Sequence, residues 1–354
     1  MIQQLKQSKS NKLYQVKLRR SGGAALVVAL LIAALVAVMG VRIGNEYQMT
    51  FRRASNVMFS DQTRLFLISA ENIAKQLLAA DEEHEKDFAG EPWATPFPPV
   101  PIGNGLIAPD PIVDLQGRFN INSLASPQPP PNVQGMNFTA SQKMFIRLLR
   151  AIPDIDMDQQ RAEAIVNSIA DWLDEDSNER GFDGAEDGYY SQLDVPYRAA
   201  NVAFVSVSEL RLIKGIDTEL YRAVSPYLSA LDTGEGKINI NSASATVLRA
   251  LCYDGADELL PLDEQSVSSY LESYEPAVGL TKGDFFVQAP WKTILEGKEE
   301  CRDSIEASSN YFLVSARARL GELTLPMRSI LHRTSNENGG EITVEVLSRS
   351  TGSL

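Results

Sequence analysis

Residues Ala24–Val41, "AALVVALLIAALVAVMGV", run for eighteen positions without a charge. A helix needs about twenty apolar residues to cross a bilayer, so this stretch spans with little to spare. Such a segment dictates the topology of everything attached to it. Its N-terminal flank, residues 1–23, carries Lys6, Lys9, Lys12, Lys17, Arg19 and Arg20 and no acid. That asymmetry places the flank in the cytoplasm and residues 42–354 on the far side of the membrane. A cleaved secretory signal peptide is the competing interpretation. It is disfavoured because no small-x-small site followed by a turn closes the run, and helical sequence continues beyond it. Tyr47, Phe51, Ala54, Met58 and Leu65 recur at helical spacing, and no proline appears before Pro92. One helix is expected from Ala24 to about Ala80, roughly 85 Å long, half in lipid and half against a soluble domain.

Without the leader, 27 Lys and Arg face 46 Asp and Glu. A body that acidic repels nucleic acid and anionic membrane surfaces and tolerates divalent cations. The chain is long enough for two domains. "EPWATPFPPVP", residues 91–101, excludes regular helix and is expected to be a surface linker. "IVDLQGRFNINSL", residues 112–124, suggests two short strands around Gly117. "YFLVSARARL" alternates, with Phe312, Val314, Ala316 and Ala318 on one side and Ser315, Arg317 and Arg319 on the other. "GELTLPMRSILHR" and "EITVEVLSRS", joined through "NENGG", extend this into a small antiparallel sheet.

Between about residues 135 and 300 the pattern turns to short helices. "QQRAEAIVNSIADWLD" sets Ile165, Ile169, Trp172 and Leu173 on one face, Ser206 and Glu209 form a capping box, and Asp263 opens a further helix. The expected fold class is α+β, a long helix packed on a small antiparallel sheet with a large inserted α-helical domain. "NINSLAS" at 120–126 is echoed by "NINSAS" at 239–244. A strand followed by an Asn/Ser-capped helix explains both copies without a shared function.

The stretch "DWLDEDSNERGFDGAEDGYY", residues 171–190, gathers nine Asp, Glu and Asn side chains. Asp174, Asp176 and Asn178 alternate as in the opening of an EF-hand loop, where oxygens from alternate positions converge on Ca²⁺. The match then ends: Glu179 stands where glycine is needed, and Ala185 occupies the twelfth position, one before Glu186. This is no EF-hand, though Glu186 and Asp187 are placed to close a cage around the same ion. The alternative is a solvated loop. A compartment outside the cytoplasm and the mutual repulsion of the acids both favour a bound cation.

Cys252 and Cys301 are the two cysteines. Outside a reducing cytosol they are expected to form one disulfide, closing a loop of about fifty residues. His84 and His332 offer little for a metal site or a triad, and no hydrolase, P-loop or dinucleotide motif is present. "SVSELRLIKGID" and "INSASATVLRAL" resemble pieces of helix-hairpin-helix modules of DNA-binding competence proteins. The turn here, Gly215-Ile216-Asp217, puts a carboxylate where such modules present an amide to phosphate. A membrane-anchored DNA-binding protein is the alternative function.

A basic leader ending in glycine, followed by an apolar helix that continues into a globular domain, resembles the type IV pilin and type II secretion pseudopilin family. The resemblance implies cleavage and methylation by a prepilin peptidase at Gly23–Ala24, with Gly22–Gly23 as the second register. Family members carry a glutamate five residues after the cut, and this chain has Val28 there. A carboxylate inside a bilayer needs a partner. A subunit lacking it cannot neutralise the amine of a neighbour and suits a filament end, which points to the large minor pseudopilins of the K type. The same likeness covers "DWLDED…GAEDGYY…PYRAAN" and implies a structural Ca²⁺ held by Asp174, Asp176, Glu186 and Asp187, with Asn178 and Asp183 as further candidates.

The organisation implied is a leader at 1–23 and a membrane helix continuing over 24–80. A linker and first strands follow at 81–134, the helical insertion at 135–300 and the final strands at 301–354. The implied role is a non-enzymatic inner-membrane protein, crossing once and mostly periplasmic. It would cap the pseudopilus tip with the I and J minor pseudopilins and H, without nucleic acid.

Overall fold

The computed structural model describes residues 22–81, 85–125, 138–234, 236–334 and 342–351. The basic leader up to Ser21, His84 and the "NENGG" segment lie outside the described residues. Helix α1 (Gly22–Ala79) is a single uninterrupted helix of 58 residues. Among the described residues it is the one helix long and apolar enough to cross a membrane. The chain divides into two compact units, up to Phe59 and from Ser60 onward. In the first unit every described residue from 23 to 54 is exposed.

In the second unit the last turns of α1 lie on an antiparallel sheet. Its strands are β1 (Val100–Ile102), β2 (Gly105–Pro109), β3 (Val113–Asp114), and, after the helical region, β8 (Tyr311–Leu320), β9 (Leu323–Thr334) and β10 (Thr343–Ser350). The order is β1-β2-β8-β9-β10, with β3 paired to the start of β8. Alternation in β8 works as the sequence implied: Phe312, Val314, Ala316 and Ala318 are buried. Leu67 of α1 packs with Ile107, Ala316, Ala318 and Met327, and Ala74 and Leu78 pack with Phe312, Val314, Leu331 and Val344.

Two expectations need correction. The α1 face on the sheet is Thr63, Leu67, Glu71, Ala74 and Leu78, all buried. The stripe expected from Tyr47, Phe51, Met58 and Leu65 remains exposed, between 53% and 72%. It includes two residues, Tyr47 and Phe51, that lie more than a turn before the sheet-packed part begins, and Leu65 points away from it. Residues 91–101 are no plain surface linker either. Pro92, tolerated in a first helical turn, opens a short 3₁₀ turn, Pro92–Ala94, and Trp93 is buried edge-on against Phe312 at 5.1 Å.

Charged residues tie this sheet to α1. Glu71, fully buried, accepts from Arg349 Nε and Nη2, both at 2.7 Å, and from Ser329 Oγ at 2.6 Å. At the end of the helix, Arg333 bridges Asp81 (2.7 Å) and Asp87 (2.5 Å). Glu91 closes in on the same carboxylates and accepts a hydrogen bond from Trp93 Nε1.

The helical region comprises α2 (Ala140–Ala151), α3 (Gln159–Leu173), α4 (Asp187–Tyr190), α5 (Thr218–Val224), α6 (Ala245–Ala250), α7 (Glu264–Ser273), α8 (Lys282–Val287), α9 (Trp291–Ile294) and α10 (Glu299–Asp303). Their apolar faces share one core centred on Phe145, Ile169, Leu248 and Trp291. Thr139 and Gln142 form a capping box on α2, and Asp158 and Asp263 cap α3 and α7. Ser206 and Glu209 also form a capping box, but the element they open, Val207–Leu212, is 3₁₀. Cys252 and Cys301, both buried, are joined with their Cα atoms 5.4 Å apart. His332 sits within β9 and stacks on Tyr311 at 4.6 Å.

The sequence echo is a structural duplication. Short strands β4 (Phe119–Asn120) and β5 (Leu228–Ser229) pair in parallel, and so do β6 (Ile238–Asn239) and β7 (Ile305–Glu306). In the first copy Asn120 Oδ1 receives Asn122 N and Leu231 N. The Asn122 amide then donates to Phe204 O and Leu231 O and accepts from Phe204 N. In the second copy Asn239 Oδ1 receives Asn241 N, and the Asn241 amide donates to Leu280 O and Ala307 O and accepts from Leu280 N. Asn239 Nδ2 further donates to Asp87 O and to the buried carboxylate of Asp114 in β3. Gly117 lies between the copies because a Cβ there would come within 2.6 Å of the Ser242 carbonyl oxygen.

Asn239→Ala removes these donors and leaves Asp114 short of a partner. It should cost about 2–4 kcal/mol, read as a lowered midpoint in urea unfolding. A second test concerns pH. Burial, then the neighbouring Asp81 carboxylate, push Glu91 up to about 8. A carboxyl whose folded pKa exceeds its unfolded value stabilises most at low pH, and that contribution is lost as pH rises toward the folded pKa. Wild-type thermal stability should therefore decline between about pH 5 and pH 8 relative to Glu91→Gln, with the gap levelling off above that range. A gap that does not change with pH would show that Glu91 does not titrate in that window.

Candidate cation site

The acidic loop starts where α3 stops. Asp174 is the C-cap of α3, and the chain returns through Gly181 and Gly184 to α4, whose N-cap is Glu186. Asp171, fully buried in the last turn of α3, holds both ends of the loop: its carboxylate accepts Arg180 N at 3.2 Å and Ala185 N at 2.7 Å. The chain passes so close that a Cβ on Gly184 would fall 2.2 Å from Asp171 Oδ2, so only glycine fits there. Beneath the loop, Trp172 packs edge-on to Tyr190 at 5.3 Å, and Tyr190 stacks on Tyr197 at 5.2 Å.

This scaffold brings Asp174, Asp176 and Glu186 together, each with a carboxylate oxygen within 4.8 Å of the others. Oxygens that ligate one Ca²⁺ at about 2.4 Å lie no farther than about 4.8 Å apart, so the spacing suits a hard cation. Burial adds a second, independent sign. Both Glu186 carboxylate oxygens are shielded from solvent and accept no hydrogen bond, and neither does Asn201 Oδ1. The Asp174 oxygens are shielded too, with Arg180 Nε at 3.5 Å from Oδ2. Buried carboxylates without donors are costly unless a cation compensates them. Burial first, then the carboxylates of Asp171, Asp174, Asp176 and Asp187, push Glu186 up to about 7. The residues present fit a divalent cation with oxygen ligands.

Of the expected ligands, Asp174, Asp176 and Glu186 converge. The carboxylates of Asp183 and Asp187 lie outside that cluster. Asn178 donates its backbone N–H to Asp176 Oδ1 at 2.7 Å, which shapes the turn. Asp183 offers its backbone carbonyl to Ser168 Oγ and Lys214 Nζ. Asp187 caps Ala199 N at 3.0 Å and faces Arg198 at 3.8 Å. Sequence reasoning missed Asp171 and Asn201. Asn201, at a positive φ of 50°, donates from Nδ2 to Asp176 O at 3.1 Å and keeps its carbonyl oxygen buried and unsatisfied. The one hint was its position at the end of "PYRAAN".

The helix-hairpin-helix likeness does not extend to a phosphate site. Gly215 turns at φ +85°, but the Asp217 carboxylate accepts Leu220 N at 2.8 Å and caps α5 itself. The Leu220 amide at the start of α5 thus already faces an internal anion.

An apolar helix long enough to cross a membrane, a small antiparallel sheet and a helical insertion bearing an acidic loop define a pilin-like α+β fold. The family model for type II secretion system (T2SS) protein K matches residues 117–233. The type II secretion system protein K of Pectobacterium carotovorum subsp. carotovorum is 30% identical over 340 residues, 94% of this chain and 97% of that protein. The protein of the same description from Pseudomonas aeruginosa is 29% identical, covering 94% of each chain. The crystal structure of the GspK-GspI-GspJ complex from the enterotoxigenic Escherichia coli type 2 secretion system contains a chain superposing with a TM-score of 0.69. That chain is 26% identical, and the match covers 85% of this chain and 100% of that one. This chain belongs to the type II secretion system protein K family.

Calcium should raise the thermal midpoint of the purified protein by about 5 °C at saturation, and chelation should reverse it. Glu186→Gln should abolish that response, while Asn178→Ala should keep most of it. The change is readable in the near-ultraviolet circular dichroism of Trp172 and Tyr190.

Proposed function

We propose that the chain is a non-enzymatic minor pseudopilin that ends the periplasmic pseudopilus of a type II secretion machine and helps assemble it for export of folded proteins. The observation that carries this reading is the uncharged, fully exposed stretch Ala24–Val41 with Val28 at its fifth position. No acid follows until Glu46. A subunit with no carboxylate in the membrane cannot neutralise another subunit's N-terminal amine. Its helix can enter a bundle through apolar contact, but it offers nothing for a further subunit above it, and the helical insertion adds bulk at that end. The likeness to a chain solved with GspI and GspJ supports the I and J pseudopilins as partners, and we propose H as a further one.

In this reading the prepilin peptidase cuts Gly23–Ala24 and the new Ala24 amine is methylated. The helix stays in the inner membrane as a single crossing, with the remainder in the periplasm. Asp174, Asp176 and Glu186, helped by the Asn201 carbonyl, hold one Ca²⁺ that stiffens the loop and performs no chemistry. An enzymatic role has no residues to support it in the sequence motifs, and DNA binding is opposed by the Asp217 cap and by the acidic body.

Intact mass of the protein from cells with and without the prepilin peptidase tests the reading. A peptidase-dependent loss of residues 1–23 is the expected outcome. An unchanged mass, or a cut beyond Val41, contradicts it.

A further inference from the structure

On the face of the sheet opposite α1, a cleft of about 300 Å³ opens between β8 and β9 and the segments around residues 205–208 and 225–230. Arg118 and Arg328 both line it. Arg118 is half-buried and Arg328 exposed, whereas the buried Arg147 donates to the carbonyls of Ala250 and Glu258, and the buried Arg333 is held by Asp81 and Asp87. The guanidiniums of Arg118 and Arg328 have no hydrogen-bond or ion-pair partner among the described residues. Among the described residues no Asp or Glu lines the cleft, although the chain carries 46 of them.

The acids nearby are committed elsewhere. Asp114, whose field reaches Arg118, accepts from Gln116 N, Asn239 Nδ2 and Ser309 Oγ, and Glu209 accepts from the Val205 and Ser206 amides. Burial, only partly offset by Asp114, draws the Arg118 pKa below its usual value, the expected signature of a charge short of a counterion. The third observation is Ser229. It is 3% exposed, lines the cleft, and its hydroxyl has no partner. A buried hydroxyl without a partner costs about 1–3 kcal/mol, so such groups normally face a ligand or an ordered water. Leu115, Val207, Leu313 and Ile330 supply apolar wall beside these polar groups.

We infer that this cleft is a binding site for a small organic oxyanion, a carboxylate or phosphate on a partly apolar body, held by Arg118 and Arg328 and received by the Ser229 hydroxyl. Planar guanidinium forks match the paired oxygens of either group, and the site lacks the carboxylates that would repel them. The apolar wall discriminates against a bare inorganic ion. The site is separate from the acidic loop, and binding there requires no cation.

Isothermal titration of the full-length protein in a non-ionic detergent, with phenyl phosphate, benzoate and benzyl alcohol as probes, tests this directly. At least one of the two anions should saturate the protein with a Kd below about 1 mM, and the tighter of the two identifies the headgroup. Neutral benzyl alcohol should bind at least about tenfold more weakly, and Arg118→Gln and Arg328→Gln should each weaken the anion by about tenfold or more. Ser229→Ala should weaken it severalfold. Arg328 is exposed and unpaired, so its replacement leaves the fold intact and serves as the decisive variant should Arg118→Gln fail to fold. Absence of saturation by either anion up to about 10 mM, equal binding of the neutral probe, or full binding by Arg328→Gln overturns the inference.

Discussion

The second unit of the molecule depends on two Asn-Ile-Asn-Ser turns. Each uses its first asparagine to close a turn on itself and its second to replace the backbone partner that a distant segment lacks. Asn122 completes the amide and carbonyl of Phe204, and Asn241 does the same for Leu280. Such side chains satisfy buried main-chain groups where no regular ladder reaches, which is why a region of short helices can have a single core. The second turn does more, since Asn239 also reaches Asp87 and Asp114, next to the sheet. Through it, the helical region and the sheet share one buried polar network and lie within one compact unit.

That coupling bears on what the molecule does. In the proposed role at a filament end, a loosely attached insertion would have no defined orientation. The acidic loop follows the same logic on a smaller scale. Asp171 and Gly184 set the loop's ends, and a cation among Asp174, Asp176 and Glu186 would set its middle. Glu71 with Arg349, and Arg333 with its two aspartates, anchor the end of α1 to the sheet. Each of these joins segments separated by hundreds of residues, so the order of the whole rests on a few buried polar contacts on top of ordinary apolar packing.

Local signals were legible and long-range ones were not. The alternation in 311–320, the cap at Asp263 and the unbroken helix to Ala79 follow from residues near one another in sequence, and each appears in the structure. The face α1 turns to the sheet was misjudged because Thr63 and Glu71 interrupt its hydrophobicity. Glu71 is buried only because Ser329 and Arg349, more than 250 positions away, satisfy it. Spacing identified the acidic loop and three converging carboxylates. It also nominated Asn178 and Asp187, and the family likeness added Asp183; the Asp187 carboxylate instead accepts the Ala199 amide. Asn201 was missed because its side-chain amide meets the Asp176 carbonyl only through the path of the chain after Tyr197. The repeated Asn-Ile-Asn-Ser was seen as a cap signal, while its bridging of remote backbone cannot be read from sequence.

The claim that the paired asparagine turns make helical region and sheet one cooperative unit is open to hydrogen exchange on the full-length protein. The amides of Phe204, Leu231 and Leu280, each bonded to an asparagine of these turns, should exchange with the same free energy of opening as amides in the middle of β8 and β9. Matching protection would mean that these segments open only when the sheet does. Markedly faster exchange at all three, with β8 and β9 still protected, would show that the helical region opens independently and would contradict the account.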